Sequence, residues 1–286
     1  MTSSNLISAD ELSRVIDQPG LRVLDCSWYL PNQSRDAFEE FKNRRVKGAA
    51  FFDIDLVSDR DSELPHMLPS AENFAAALSD MSISNSSNVV VYDSAGLFSA
   101  ARVWWMFKVF GHDNVTILNG GLPAWLKSGG VTDSGRIEPL QTLENQYKAK
   151  LNETFLTTHD VLKKNCETGE YLVLDARSKK RFNGEAPEPR PGLVSGHMPQ
   201  SRSLPYDLLI EDGMLKSVDG LWSVFREYGL GSPEASDSIV TSCGSGITAA
   251  LITLALSEVG LGMHKLYDGA WAEWASLEDT VILTSV

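Results

Sequence analysis

A cysteine followed by a run of small residues, TSCGSGITAALITLAL from Thr241, is the stretch of this chain best suited to covalent chemistry. Cys243 opens the run, and a cysteine thiolate is a strong nucleophile. The residues that follow, Gly244, Ser245, Gly246, Ile247 and Thr248, carry no charge. Their successive backbone N–H groups can converge into an anion-binding nest. The helix that the next apolar residues predict adds its unpaired N–H groups and the positive end of its dipole. Gly244 and Gly246 permit the tight, left-handed backbone that a nest requires. Such a loop favours the thiolate and would hold an anion formed on it. A buried structural cysteine in a glycine-rich turn is the plain alternative, and the complete string CGSGITA argues for chemistry.

That loop needs a strand before it and a helix after it, and the chain supplies both repeatedly. Short β-rich runs (LRVLDCS, NVVVYD, VTILNG, then YLVLDA, SIVTS, MHKLYDG) alternate with segments such as ADELSRVI, AENFAAALSDM and ARVWWMFKVFG, whose apolar residues recur at three- and four-residue spacing. The alternation predicts an α/β fold, each domain a mainly parallel sheet with helices on both faces. Ligands of such sheets bind beyond the carboxyl ends of the strands, where Cys243 lies. The two halves also echo each other. NLISADEL (5–12) answers FLTTHDVL (155–162), VLDCS (23–27) answers VLDARS (173–178), and NVVVYDSAGLFSAA (88–101) answers SIVTSCGSGITAA (238–250), all at an offset of 150. LNGGLPAW (118–125) answers YDGAWAEW (267–274) at 149. The pattern is a duplication, with domains expected over 1–135 and 155–286 and a polar linker over 136–154.

Composition bounds the partners. A chain of 286 residues with 43% hydrophobic content can bury two cores. A formal net charge of -13 argues against nucleic acid or an anionic membrane surface as partner. No apolar run reaches the roughly 18 residues that a spanning helix needs. Three cysteines (Cys26, Cys166, Cys243) make no disulfide framework and no zinc spacing, so a reducing, cytoplasmic location is the expectation. Neither a metal cluster nor a nucleotide-binding loop is evident, and no cofactor is expected.

CGSGITA resembles the active loop of the rhodanese superfamily, in the form that two-domain mercaptopyruvate sulfurtransferases carry. The likeness runs over nearly the whole chain, through GAAFFDID (48–55), HMLPS (66–70), RVWWMFKVFGH (102–112), RFNGEAPEPR (181–190), SGHMP (195–199) and YDGAWAEW. It implies two rhodanese-like domains with a catalytic C-terminal one. Asp93 stands where Cys243 stands in the other half and cannot carry sulfane sulfur, so the N-terminal domain is expected to be a non-catalytic scaffold that lends residues to the site. Matching the motif residue by residue puts the substrate carboxylate on Arg181 and Arg190, whose planar forks suit it. The same matching pairs Ser245 with His66 and Asp55 as a proton relay. The alternatives are a Ser245 that only packs the loop and a His66 that caps a helix. His197 and the aromatic runs are expected to be structural, with Trp271 a possible pocket wall.

The resemblance implies sulfur transfer from 3-mercaptopyruvate through a Cys243 persulfide to a thiol, thioredoxin or cyanide, with pyruvate released and the chain acting as a monomer. Two other readings stay open: a thiosulfate:cyanide sulfurtransferase, and a non-catalytic persulfide relay module. Thiosulfate enzymes of this fold usually carry basic residues in the loop, which here is neutral. Cysteine phosphatases of related fold need an arginine six residues after the cysteine, where this chain has Ala249.

Overall fold

The computed structural model describes residues 4–137, 146–230 and 238–285. The chain divides into two compact units. The first comprises Met1–Asp61, Leu68–Asn152 and Asp212–Met214; the second comprises Ser62–Met67, Glu153–Glu211 and Leu215–Val286.

The first unit is built on a five-stranded sheet of β1 (Leu6–Ile7), β2 (Leu21–Asp25), β3 (Ala50–Phe51), β4 (Asn88–Tyr92) and β5 (Val115–Leu118), in the order β1-β5-β4-β2-β3. All four pairings are parallel. The second unit repeats the design with β6 (Leu156–Thr157), β7 (Leu172–Asp175), β8 (Ser201–Ser203), β9 (Ile239–Ser242) and β10 (Lys265–Tyr267). Read from β6, its order is β6-β10-β9-β7-β8, again all parallel. The two orders are the same permutation, as a duplicated chain requires.

Central strands are buried along nearly their whole length, as strands covered on both faces are. Val89, Val90, Val91 and Tyr92 of β4 are buried, and so are all four residues of β9. The helix Ala100–Val109 buries every residue except Lys108, so RVWWMFKVF is core, as its aromatic content predicts. Trp271 and Trp274 pack with Val173, Val240 and Tyr267 in the second unit's core. His197 is structural as expected: its ring stacks on Phe182 at 4.0 Å between centroids, and its Nδ1 lies 2.9 Å from the Phe182 carbonyl.

Two departures from simple halves matter. Residues 62–67, which sequence order assigns to the first half, belong to the second unit and carry His66 there. Of the expected linker 136–154, residues 138–145 lie outside the described residues. The part that follows is anchored by a buried Tyr147, which packs edge-on against Phe74 in the first unit.

Candidate active site

Strand β9 delivers Cys243 at its carboxyl end, and the helix Ala249–Glu258 begins six residues later. Cys243 is 2% exposed. The loop is held from behind by the helix Ala270–Trp274: Trp271 N–H donates to the Cys243 carbonyl at 2.9 Å, and Ala272 N–H donates to the Gly244 carbonyl at 3.0 Å. With these carbonyls turned away, the loop's amides are left to face a ligand. Among the described residues no protein acceptor meets the N–H groups of Gly244, Ser245, Gly246, Ile247 or Thr248. Ala270, which opens the supporting helix, is buried with φ 52°, a left-handed conformation that costs a non-glycine residue about 1 kcal/mol or more.

The first unit displays the same loop with its ligand built in. Asp93 sits at the cysteine position, and its carboxylate accepts four backbone N–H groups: from Ala95 at 2.9 Å, Phe98 at 2.8 Å, Ser99 at 2.9 Å and Ala100 at 2.9 Å. Leu122 N–H donates to the Asp93 carbonyl at 3.0 Å, the counterpart of the Trp271 bond. Gly96 and Gly246 occupy the same place in the two loops, and both are left-handed, with φ of 110° and 79°. The loop geometry is thus an anion nest: one copy holds a carboxylate, and the other presents a cysteine.

Gly244 has a different role from the one expected. Its backbone is not left-handed; a Cβ there would meet Arg181 Nη2 at 3.0 Å. Glycine admits the guanidinium against the loop. Arg181 rides on the short helix Lys179–Asn183, and its carbonyl accepts from Gly184 N–H at 3.2 Å and Gly196 N–H at 3.1 Å. Its guanidinium donates to Glu188 Oε2 through Nε, at 3.0 Å, and through Nη2. Arg190 lies two residues beyond Glu188 in the same loop, half-buried.

Sequence reasoning missed the group behind Arg181. Arg177 is buried beside Asp175, with Nη2 donating to Asp175 Oδ2 at 2.6 Å and to the Gly196 carbonyl at 2.7 Å. Its Nη1 donates to Glu188 Oε1 at 2.7 Å, and its guanidinium lies 4.1 Å from the centre of the Trp271 ring. Burial works against the Arg177 charge, but Asp175 and then Glu188 outweigh it and raise its pKa above the ordinary arginine value. The available signal was the Asp-x-Arg spacing of VLDARS, matched in the other half by Asp25 and Ser27.

His66 and Ser245 meet in the second unit. His66 is 5% exposed and left-handed at φ 60°. Its Nδ1 lies 3.0 Å from Ser245 Oγ and 3.4 Å from the Ser245 carbonyl. A carbonyl only accepts, so this position suits an Nδ1 that carries hydrogen. Ser245 then accepts from His66 and keeps its own O–H to donate. Asp55 lies in the first unit, where its Oδ2 accepts from Trp28 Nε1 at 3.1 Å.

Known proteins resemble the chain at the level this geometry suggests. The Rhodanese-like domain family matches residues 8–128 and again 158–277. The 3-mercaptopyruvate sulfurtransferase of Homo sapiens is 40% identical over 276 residues, covering 94% of this chain and 91% of that protein. The 3-mercaptopyruvate sulfurtransferase of Escherichia coli is 39% identical over 281 residues, covering 98% of each. A thiosulfate sulfurtransferase of Cricetulus griseus is 41% identical over 260 residues, covering 90% of this chain and 85% of that protein. The crystal structure of SseA from Escherichia coli superposes with a TM-score of 0.83 at 36% identity, covering 94% of this chain and 99% of that one. The chain belongs to the rhodanese family, as a member with two rhodanese-like domains.

Proposed function

We propose that this chain is a 3-mercaptopyruvate sulfurtransferase, with Cys243 as the nucleophile in the second domain and a first domain that does no sulfur chemistry. The observation that carries this reading is the pair of loops: one nest filled by the Asp93 carboxylate, the other open around Cys243. Arg181, lying against Gly244, supports a substrate whose carboxylate sits beside the loop. Arg190 serves as the second fork.

The Cys243 thiolate attacks the sulfur of 3-mercaptopyruvate, forming an S–S bond. The substrate's carbon–sulfur bond breaks, and its electron pair remains on the carbon as the enolate of pyruvate. The Ser245 hydroxyl, with His66 Nδ1–H behind it, polarises the carbonyl and supplies the proton, and the substrate's thiol proton restores the balance. The outer sulfur of the Cys243 persulfide lies in the nest of amides from Gly244 to Thr248. An acceptor thiolate, reduced thioredoxin or cyanide attacks that sulfur, leaves with it and restores the cysteine thiolate. The chain works as a monomer in a reducing compartment, the cytoplasm.

A second reading has one specific support, the 41% identity to a thiosulfate sulfurtransferase. Thiosulfate carries its charge next to the attacked sulfur, whereas the loop here is neutral. Intact mass after exposure to each donor, with pyruvate assayed alongside, decides between them. The expected result is one added sulfur and equivalent pyruvate from 3-mercaptopyruvate, both lost in Cys243→Ser. Faster loading from thiosulfate would move the chain to the second reading, and loading from neither would leave a persulfide relay.

A further inference from the structure

Four charged side chains run in series from the second unit's interior to the cysteine loop, in the order Asp175, Arg177, Glu188, Arg181. Their side-chain exposures are 0%, 0%, 2% and 20%. Arg177 does not need Glu188 in order to be held. Asp175 already accepts from its Nε at 3.1 and 3.0 Å and from its Nη2, and the Gly196 carbonyl takes Nη2 as well. What Arg177 does is anchor Glu188 through Oε1, and the other oxygen of Glu188 grips Arg181 along the Nε–Nη2 edge. A carboxylate that satisfied only a buried arginine would not need both oxygens placed on two different cations.

We propose that Glu188 is a positioning residue for Arg181, fixing one edge of its guanidinium so that the remaining N–H groups face the cysteine loop before substrate arrives. The proposal rests on Arg181 as the holder of the substrate carboxylate. Nη1 of Arg181 makes no hydrogen bond among the described residues. The Arg181 backbone is pinned at its carbonyl by Gly184 and Gly196, so Glu188 removes the freedom that remains, that of the side chain. A long arginine ordered only on binding would subtract its rotamer entropy from affinity. Glu188 removes that cost in advance and acts through Arg181 without touching substrate.

The test is steady-state kinetics of Glu188→Ala, Glu188→Gln, Arg181→Ala and the double variant Glu188→Ala/Arg181→Ala, with single-turnover discharge of preformed persulfide to cyanide. Releasing one side chain should raise KM for 3-mercaptopyruvate about three- to tenfold in Glu188→Ala, with kcat within about twofold. Gln offers its one oxygen to a single arginine, so Glu188→Gln should raise KM about threefold. This isosteric variant decides the question if the alanine variant does not fold. Discharge to cyanide needs no carboxylate clamp and should not change, whereas a purely structural role would slow both half-reactions. The double variant should match Arg181→Ala alone. A KM that is unchanged or lower in both Glu188 variants, while Arg181→Ala raises it, overturns the positioning role only. An unchanged KM in Arg181→Ala overturns the carboxylate reading and the positioning role with it.

Discussion

Ser245 stands two residues past Cys243, and His66 Nδ1 is 3.0 Å from its hydroxyl. His66 adopts a left-handed φ of 60°, uncommon outside glycine, and its segment, remote in sequence, brings the imidazole to the loop. Under the proposed mechanism the pair would act on one half-reaction only, because the enolate forms when sulfur leaves the donor and nothing comparable forms when cyanide removes it. Ser245→Ala is therefore expected to slow persulfide formation from 3-mercaptopyruvate about a hundredfold, the scale of one general acid. Discharge to cyanide should be unaffected. Stopped-flow loading followed by a cyanide chase reads both steps, and an alanine variant that loads as fast as wild type would remove Ser245 from the mechanism.

At the scale of elements, strand β9, the loop and the helix after it are legible in the sequence because apolar period and small-residue runs are local properties. The duplication is legible for the same reason, down to Asp93 at the position that matches Cys243. What Asp93 does there is not legible, since a carboxylate's partners are backbone amides that look alike in every sequence. The series from Asp175 to Arg181 escapes too: an arginine two residues after an aspartate reads as surface charge until its burial is known. Residues 62–67 join the second unit through long-range packing that leaves no periodic trace. The nest in the first unit carries its own prediction. Asp93→Ala would leave the N–H groups of Ala95, Phe98, Ser99 and Ala100 without their acceptor. The expected loss is about 3 kcal/mol of stability in urea unfolding, the scale for removing one partner of buried, charge-assisted bonds. Sulfate should restore part of it by occupying the nest, and a variant as stable as wild type would show that the nest is not strained by vacancy.

Across the whole molecule the two halves keep one topology and treat one buried carboxylate in opposite ways. Asp25 and Asp175 both end the second strand of their sheets, and both are fully buried. Arg177 neutralises Asp175 at 2.6 Å. In the first half the arginine's place is taken by Ser27, which offers Asp25 only a hydroxyl and an N–H at 3.0 Å. Burial therefore dominates at Asp25 and pushes its pKa up to about 6; Ser27 and Tyr92 offset this in part, and the Asp93 charge adds to it. Cys26 and Tyr92, the other titratable groups beside it, are pushed well above their usual values by their own burial. In the unfolded chain the Asp25 carboxyl would titrate near about 3.9. The folded protein thus holds a proton that the unfolded chain releases, a contribution to stability fully present below about pH 4 and lost as pH rises to about 6. Asp25→Asn keeps an acceptor for Ser27 and cannot ionise. It should match wild type near pH 4 and exceed it by roughly 3 kcal/mol above pH 6, by the 1.36 kcal/mol that each pKa unit represents. Repulsion from the net charge of -13 is nearly common to both proteins, so it largely drops out of the difference. Asp175→Asn should do the reverse at neutral pH and cost about 3 kcal/mol or more, because it leaves Arg177 buried without its main partner. Urea unfolding of the three proteins from pH 4 to 8 measures both signs, and a gap between Asp25→Asn and wild type that does not change with pH would show that Asp25 is ionised throughout.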